Sequence, residues 1–215
     1  MSWHYKTAGY SPWGFPQGST EADENALEIC NILRGRGWSD NAIAGVLGNM
    51  QYESRMNPWQ WESDDPLSIN DTWAIANDTT HGYGLTQFTP SGKYINSTYA
   101  QSYAGYQPYF SDRAGGTGEG EAQTIFIDEH ADYIPTAQFP MSYASFKVYT
   151  GTPYECANIW WKNYERSASP TFPTARGDSA NYYYNLSTGT PYFDEIPMYG
   201  YFLIKKRRKR GYYNI

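Results

Sequence analysis

Apolar side chains recur at helical spacing over much of this chain. The first such segment predicts a helix from about Thr20 to Arg34, with Thr20 as the N-cap residue. Gly35 and Gly37 follow the last periodic position and end the helix. Two overlapping sets of apolar residues can form the buried face of this helix. One set is Leu27, Cys30 and Leu33, and the other is Ile29 and Ile32.

A second predicted helix carries a carboxyl group close to its buried face. Ser39 is its N-cap, and Asp40 lies in the first turn, where an acidic side chain suits the helix dipole. Glu53 lies seven residues after Val46, so we predict it on or beside the buried stripe, in the last turn. That stripe is the i, i+3, i+4, i+7 series Ile43, Val46, Leu47 and Met50.

The rest of the chain is predicted to be mostly helical, with one interruption. Residues 54–90 lack helical periodicity and contain turn signals such as Asn57-Pro58, which favours short strands or a hairpin lobe. Thr152 and Glu155, with Pro153 at the first helical position, form a capping box. Further helices are predicted near 93–104, 121–133, 142–150, 153–164 and 178–186.

The aromatic content and the uneven charge narrow the class of protein. Aromatic residues make up 18% of the 215 residues while mean hydropathy is low, so the apolar content is amphipathic, which argues against disorder and against a membrane protein. Residues 1–204 hold 10 basic and 22 acidic residues, a net charge of −12. This acidic body disfavours nucleic acid as a partner. The wholly basic run at 205–210 is left without an assigned role.

These patterns divide the chain into three parts. Residues 1–19 form an aromatic N-terminal arm that packs on the domain or on a partner, residues 20–190 form the main domain, and residues 191–215 form a C-terminal extension. No apolar leader and no membrane-spanning run is visible. We therefore predict neither a signal peptide nor a membrane span.

The cysteines and histidines give little support for a metal or disulfide site. Cys30 and Cys156 lie in helical segments, where two buried free thiols are favoured over one disulfide. His4, His81 and His130 are scattered, without the spacing of a protein-built zinc site. No metal and no cofactor is predicted.

Glu53 is the first candidate for chemistry. A carboxyl group in the last turn faces the negative end of the helix dipole, and rings at Tyr52, Trp59 and Trp61 would withdraw it from water. Both effects disfavour the anion, and a general acid must carry a proton. Periodicity alone leaves a second interpretation open, in which Glu53 is a surface residue and Ser54 takes the buried position.

A wider set of motifs resembles one protein family. The segment 48–58, followed by Trp61, and the segment 82–90 are similar to those of the phage tail lysozyme family. The likeness is strongest to the lysozyme domain of tail-knob peptidoglycan hydrolases of short-tailed phages that infect Gram-positive bacteria, and it covers about residues 22–188. The resemblance continues at Tyr94-Ile95, Phe146, Thr152-Pro153, Tyr164–Pro170, Arg176–Asp178, Tyr182 and Asn185-Leu186.

The resemblance implies a fold, an activity and a set of site residues. The fold is lysozyme-like, α+β but mostly α, with a small β lobe between helical halves. The activity is hydrolysis of the β-1,4 bond between N-acetylmuramic acid and N-acetylglucosamine, and Glu53 falls on the family's catalytic glutamate. Gly84, Leu85 and Gln87 fall on the segment that floors the sugar cleft. Tyr164 falls on an aromatic residue that faces the cleft in related transglycosylases, and a core tyrosine with a satisfied hydroxyl is the equal alternative.

Glycoside hydrolysis usually takes two carboxyl groups, and the sequence does not identify the second. The acids of the predicted β lobe are Glu62, Asp64, Asp65, Asp71 and Asp78. Asp78 is our choice because it shortly precedes the cleft segment 82–87. A mechanism with Glu53 alone, as in goose-type lysozymes and lytic transglycosylases, stays open. The loop aromatics suited to stacking on sugar rings are Trp59, Trp61, Trp73, Tyr83 and Phe88.

The leading hypothesis is therefore a bacteriolytic muramidase that acts on peptidoglycan glycan strands. It would work in the virion tail, with other phage tail proteins as candidate partners, or as an endolysin that passes from the host cytoplasm to the cell wall. A lytic transglycosylase on the same fold is one alternative. A non-catalytic wall-binding virion protein is the other.

Overall fold

The fold is built from helices in the part of the chain that the structure describes. A computed structural model of the protein describes residues 3–6, 14–60, 62, 81–98 and 118–189. Its helices there are α1 (Thr20–Gly35), α2 (Asp40–Glu53), α3 (Gly92–Ile95), α4 (Glu119–His130), α5 (Tyr143–Lys147), α6 (Pro153–Asn163) and α7 (Thr174–Thr188). The mostly helical class predicted from the sequence is confirmed.

Local capping chemistry decides where these helices begin. Ser19, not Thr20, caps α1, because Ser19 has the extended backbone of a cap and its side chain accepts a backbone hydrogen bond, whereas Thr20 is already helical. The prediction of Thr20 was therefore wrong by one residue. Ser39 caps α2 as predicted. The capping box of Thr152 and Glu155 at the start of α6 is also confirmed.

Helix α2 lies at the centre of the packing. Residues 42–51 are all buried, which includes the whole predicted stripe, and α2 packs mainly against α6 and α7. Two glycines permit this close approach: a Cβ at Gly45 would lie 2.7 Å from Ala157 N in α6, and one at Gly48 would lie 2.8 Å from Ala180 N in α7. Gly45 and Gly48 therefore set how closely α6 and α7 approach the helix that ends at Glu53.

Two helices differ most in extent from their predictions. Helix α3 ends at Ile95 after four residues, so the helix predicted near 93–104 does not run unbroken, and residues 99–117 lie outside the described ranges. Helix α7 begins at Thr174, four residues before the predicted start. The chain becomes helical directly after Pro173, whose extended backbone marks the N-cap.

The small β lobe predicted between the helical halves is not shown. Among the described residues there is no β-strand, and the loop 82–88 contributes one isolated antiparallel bridge, between Tyr83 and Phe88. About half of the predicted lobe, residues 63–80, lies outside the described ranges. The bridged loop 82–88 reaches the candidate site.

The described parts of the N-terminal arm pack on the helical domain. The ring of Trp3 lies against α4, and His4 N donates a hydrogen bond to Asn25 Oδ1 in α1 at 2.8 Å. Phe15 N donates to Arg55 O, just after α2, also at 2.8 Å. Of the two alternatives that the sequence left open for the arm, these contacts match packing on the domain.

The two cysteines lie in the hydrophobic core together with two tryptophans. Cys30 and Cys156 are buried free thiols, as predicted. Trp160 is fully buried, and Trp38 is 5% exposed. No helix within the described ranges combines the length and the apolar character needed to cross a membrane. The C-terminal extension, with its basic run, lies outside those ranges.

Candidate active site

A cleft of about 510 Å³ opens beside the C-terminal end of α2. Its walls come from the end of α2, the loop that follows residue 82, helices α3 and α4, the segment after α6 and the first turn of α7. Its polar lining side chains include Glu53, Gln87, Tyr164, Glu165 and Arg176. Elements that are distant in the chain thus place charged groups at one opening.

Glu53 is the last residue of α2, and its side chain is 23% exposed at the cleft. Its Oε1 accepts a hydrogen bond from Arg176 Nη2 at 2.6 Å. The next residue, Ser54, is buried and donates to Leu85 O at 3.0 Å. The two sequence interpretations therefore both hold in part, because Ser54 takes the core position while Glu53 reaches the cleft.

Glu165 places a second carboxyl group on the same guanidinium. Both of its oxygens accept from Arg176 Nη1 at 2.9 Å, and its side chain is 13% exposed. Burial, and then the neighbouring Glu53 carboxyl, raises the pKa of Glu165 well above its usual range, although Arg176 acts in the opposite direction. Asn49 Oδ1 also accepts from Arg176 Nη1, at 3.0 Å, which holds the guanidinium against α2.

The position of Arg176 is unfavourable for its own helix and favourable for the site. It lies in the first turn of α7, where the helix dipole disfavours a cation. The two carboxyl groups offset that cost, since charge-assisted hydrogen bonds are the stronger kind. The site therefore depends on all three groups together.

The aromatic wall that the sequence predicted around Glu53 is different in the structure. Trp59 stacks on Tyr5 of the N-terminal arm, with ring centroids 4.5 Å apart, and does not line the cleft. Tyr52 is 49% exposed, and its ring centroid lies 5.4 Å from Arg176 Cζ. Of the three predicted wall residues, Tyr52 therefore lies beside the cleft, Trp59 does not, and Trp61 falls outside the described ranges. Arg176 is a neighbour of Glu53 that the sequence did not predict.

The loop 82–88 forms one wall of the cleft. Gly84 has a φ of +82°, and a Cβ there would lie 2.7 Å from the side-chain amide of Gln123. Leu85 is fully buried, and its N donates to Gln123 Oε1 at 2.7 Å. Gln87 lines the cleft, and its Nε2 donates to Gly84 O at 3.1 Å. Of these three predicted floor residues, Gln87 offers its side chain to the cleft, while Gly84 and Leu85 shape the loop.

Two tyrosines of the predicted site have different positions. Tyr83 is fully buried, with its ring stacked beside that of Tyr94, so it does not present a platform for a sugar. Tyr164 lines the cleft, stacks on Trp160 at 4.3 Å, and has its hydroxyl 2.9 Å from Thr86 Oγ1. Tyr164 thus combines the two roles that the sequence left open, a packed ring with a satisfied hydroxyl and a cleft-lining position.

A buried polar network behind the loop supports this wall. Gln123 Nε2 donates to Pro58 O at 2.8 Å and to Glu119 Oε1 at 3.1 Å. Glu119 is 1% exposed, and burial raises its pKa to about 7. Hydrogen bonds from Gln123, Tyr94 and Tyr83 act in the opposite direction and lower the pKa. The protein therefore holds a buried acid that titrates near neutral pH.

Replacing Glu119 with glutamine is expected to stabilise the protein at pH 8 and to leave its stability at pH 4 nearly unchanged. The folded-state pKa of Glu119 is raised, so folding favours the protonated form. The stability that this proton contributes is present below about pH 4.5 and is lost as the pH rises through 7, an effect of up to about 3 kcal/mol. Urea denaturation at both pH values measures it.

The exposed neighbour Glu121 supplies the control, because Glu121→Gln makes the same chemical change outside the core. It is expected to leave the pH dependence of the unfolding free energy as it is in the wild type. An equal gain from Glu119→Gln at pH 4 and pH 8 would show that the amide improves packing and that Glu119 does not titrate.

Several predicted site residues lie outside the described ranges. They include Asp78 and Trp61, together with Asp64, Asp65, Asp71 and Trp73. Glu62 is described and lines the cleft, where its Oε2 accepts from Gly82 N at 2.6 Å and so secures the start of the loop. Within the described part of the chain, no group of three or more His, Cys, Asp or Glu side chains is placed to hold a metal ion.

The sequence by itself assigns no site role to Glu165 or Arg176. Both fall within motif segments of the family resemblance, 164–170 and 176–178, so the signal was present without a function attached. Arg176 and Glu53 are 123 residues apart in the chain. Their contact follows from the packing of α7 on α2, which no local pattern reveals.

A mostly helical domain with two carboxyl groups bridged by an arginine in a cleft is consistent with a lysozyme-like domain. Comparison with protein families identifies it more closely. The profile of the phage tail lysozymes matches residues 24–186, which is most of the chain, and the protein belongs to that family. The resemblance seen in the motifs is confirmed.

One curated relative shows the same relationship. Morphogenesis protein 1 of Bacillus phage B103 is 33% identical to this chain over 174 residues. The match covers 79% of this chain and 40% of the relative. This chain therefore spans about two fifths of the length of that relative.

Proposed function

We propose that this domain is a muramidase, which hydrolyses the β-1,4 bond between N-acetylmuramic acid and N-acetylglucosamine, with Glu53 as the general acid. The proposal rests on the place of Glu53, whose carboxyl group ends α2 at the cleft and coincides with the glutamate that the family resemblance makes catalytic. Membership of the phage tail lysozyme family supports the same substrate class.

The proposed reaction begins with a glycan strand lying along the cleft. Protonated Glu53 gives its proton to the glycosidic oxygen, the bond from that oxygen to C1 breaks, and the leaving sugar departs as an alcohol. The carboxylate that forms at Glu53 stabilises the positive charge that develops on C1 and the ring oxygen. Water then adds to C1, and the proton that it loses returns to Glu53.

Substrate contacts follow from the side chains that line the cleft. We assign Gln87 to hydrogen bonding with an N-acetyl or hydroxyl group, and Tyr164 to the cleft wall beside the sugar. The main chain at Gly84 and Leu85 keeps that wall in place. Asp78 remains our sequence-based choice for orienting the attacking water, and Trp61 for stacking on a sugar ring.

Product analysis tests the reaction type. After digestion of purified peptidoglycan and borohydride reduction, we expect muropeptides that have gained one water and end in reduced N-acetylmuramic acid. Products lighter by one water would instead identify a lytic transglycosylase, in which the substrate's own hydroxyl attacks C1. A reduced N-acetylglucosamine end would contradict the muramidase proposal because the other bond of the repeat would be the one cleaved.

We also propose that the protein works as a component of the virion tail, where it opens the cell wall locally during infection. The family description and the name of the phage B103 relative support a tail or assembly context. Mass spectrometry of purified virions is expected to detect the chain. Its absence from virions, with accumulation in lysing cells, would favour the endolysin alternative.

A further inference from the structure

Three charged groups meet at the end of the cleft that holds Glu53. The Arg176 guanidinium bridges the two carboxyl groups, with Nη2 bound to Glu53 at 2.6 Å and Nη1 bound to both oxygens of Glu165 at 2.9 Å. All three side chains are largely withdrawn from water, at 23%, 13% and 14% exposure for Glu53, Glu165 and Arg176. The muramidase chemistry proposed above uses Glu53 and gives no role to Glu165.

The charges of Glu53, Glu165 and Arg176 together favour one proton bound to the two carboxyl groups. Two ionised carboxylates and one guanidinium would carry a net charge of −1 in a partly desolvated site, where like charges disfavour one another's ionisation. Lys93 and Arg166 pair with Asp132, at 2.8 and 3.0 Å, and so are engaged elsewhere. The remaining titratable groups that line the cleft are Tyr52, Glu62, His130 and Tyr164.

We propose, on the basis of the muramidase function proposed above, that Glu165 is a positioning residue that keeps Glu53 supplied with a proton. The carboxyl groups of Glu53 and Glu165 share one proton across the Arg176 guanidinium, and Glu53 takes that proton for the reaction. The raised pKa of Glu165, caused first by burial and then by Glu53, agrees with this sharing. The two titrations then belong to the pair and not to either residue alone.

The sharing resolves a conflict within the site. A guanidinium that donates to a carboxyl group favours the anion, yet a general acid must carry a proton when the substrate is bound. A second buried carboxyl group on the same guanidinium reverses the balance, because full ionisation of both would leave one negative charge without a partner. The pair can then hold one proton, which is available to Glu53 while Arg176 keeps Glu53 in place.

The proton is accounted for through the whole reaction. In the reactive form the proton is on Glu53, and Glu165 is the anion bound through both oxygens to Arg176. Transfer to the glycosidic oxygen breaks the bond to C1 and leaves both carboxyl groups ionised. The proton lost by the attacking water restores the singly protonated pair, so no other acid or base is consumed.

The test is the pH profile of kcat/KM for Glu165→Gln. Glutamine keeps the shape of the side chain and an oxygen that accepts from Arg176, but it removes the second charge. We expect the alkaline limb of the profile to move to lower pH by about two units, so that activity at neutral pH falls by up to roughly 100-fold. Near pH 4.5 kcat should stay within a few-fold of the wild type, with KM unchanged.

Two variants complete this test. Glu165→Asp keeps an acid beside Arg176 and is expected to restore part of the alkaline limb. Glu129→Gln removes a glutamate that pairs with Arg36 outside the cleft, and it should leave the profile as in the wild type. A uniform loss of kcat at every pH in Glu165→Gln, or an unshifted profile, would overturn the proposal.

A measurement that does not depend on catalysis distinguishes failure of this inference from failure of the proposed function. The measurement uses a Glu119→Gln background, because Glu119 is a second glutamate with a pKa near neutral. In that background, carbon-13 NMR of the glutamate carboxyl carbons is expected to show one titration step between neutral and mildly alkaline pH. Both Glu165→Gln and Glu53→Gln should lose that step, since each removes one member of the pair. If the step is lost but Glu53→Gln still degrades the wall, the sharing holds and the muramidase proposal fails. If the step is present in either variant, the sharing itself is excluded.

Discussion

Replacing Glu53 with glutamine is expected to lower wall-degrading activity by at least about 100-fold, the usual scale for loss of a general acid. Glutamine keeps the length of the side chain and an oxygen that can accept from Arg176 Nη2, so the geometry of the site persists. The amide has no proton of suitable acidity for the glycosidic oxygen. Release of soluble muropeptides from purified peptidoglycan, measured as initial rates, gives the ratio of activities.

Stability and a distant substitution serve as controls for this variant. Glu53 is the last residue of α2, and glutamine keeps an acceptor for Arg176 Nη2, so thermal unfolding should change little. Glu129→Gln, outside the cleft, should clear the wall like the wild type. Equal clearing by Glu53→Gln would reject Glu53 as the acid. A wild-type protein that binds the wall without degrading it would instead support the non-catalytic alternative.

Replacing Gly48 with alanine is expected to cost about 3 kcal/mol of folding stability and to lower activity more than tenfold. A methyl group there would overlap the carbonyl oxygen of Arg176 and lie 2.8 Å from both the Cβ and the N of Ala180. These atoms belong mainly to the backbone of α7, so relief requires the helix to move. Because α7 carries Arg176, the same movement separates the guanidinium from Glu53.

Gly35 provides the matched control for this substitution. It ends α1, and a Cβ added there would meet nothing within 4 Å. Gly35→Ala should therefore change the unfolding free energy by no more than about 1 kcal/mol, with an increase the expected sign. Urea denaturation of both variants and the rate of muropeptide release measure the two effects. If Gly48→Ala matched Gly35→Ala in both, the close approach of α2 and α7 would not control the site.

The parts of the fold that the sequence predicted are those governed by contacts within a few residues. The N-cap at Ser39, the capping box at Thr152 and the buried stripe of α2 are all encoded in one or two helical turns. Where two adjacent residues had similar side chains, as at Ser19 and Thr20, the pattern did not decide between them. The backbone conformation, extended at Ser19 and helical at Thr20, made that choice.

Two carboxyl groups bind Arg176 at the candidate site, and the sequence predicted one of them, Glu53. Periodicity placed Glu53 at the end of a helix, and the family resemblance gave it a role. Nothing local connects it to Glu165, because the two meet only through Arg176 after α2, α6 and α7 have packed. Tyr83 shows the same limit of prediction from sequence. A loop tyrosine can face a cleft or lie in the core, and Tyr83 is fully buried.

By itself, the sequence determined that this protein is mostly helical, that an acidic body precedes a basic run, and that one glutamate ends a buried helix. It also determined the family, because motifs over most of the chain match in order. The tertiary structure decided which side chains share the cleft and which of them are withdrawn from water. Charge state depends on desolvation and on partners from distant elements, and both exist only once the glycine-lined faces of α2 have brought α6 and α7 together.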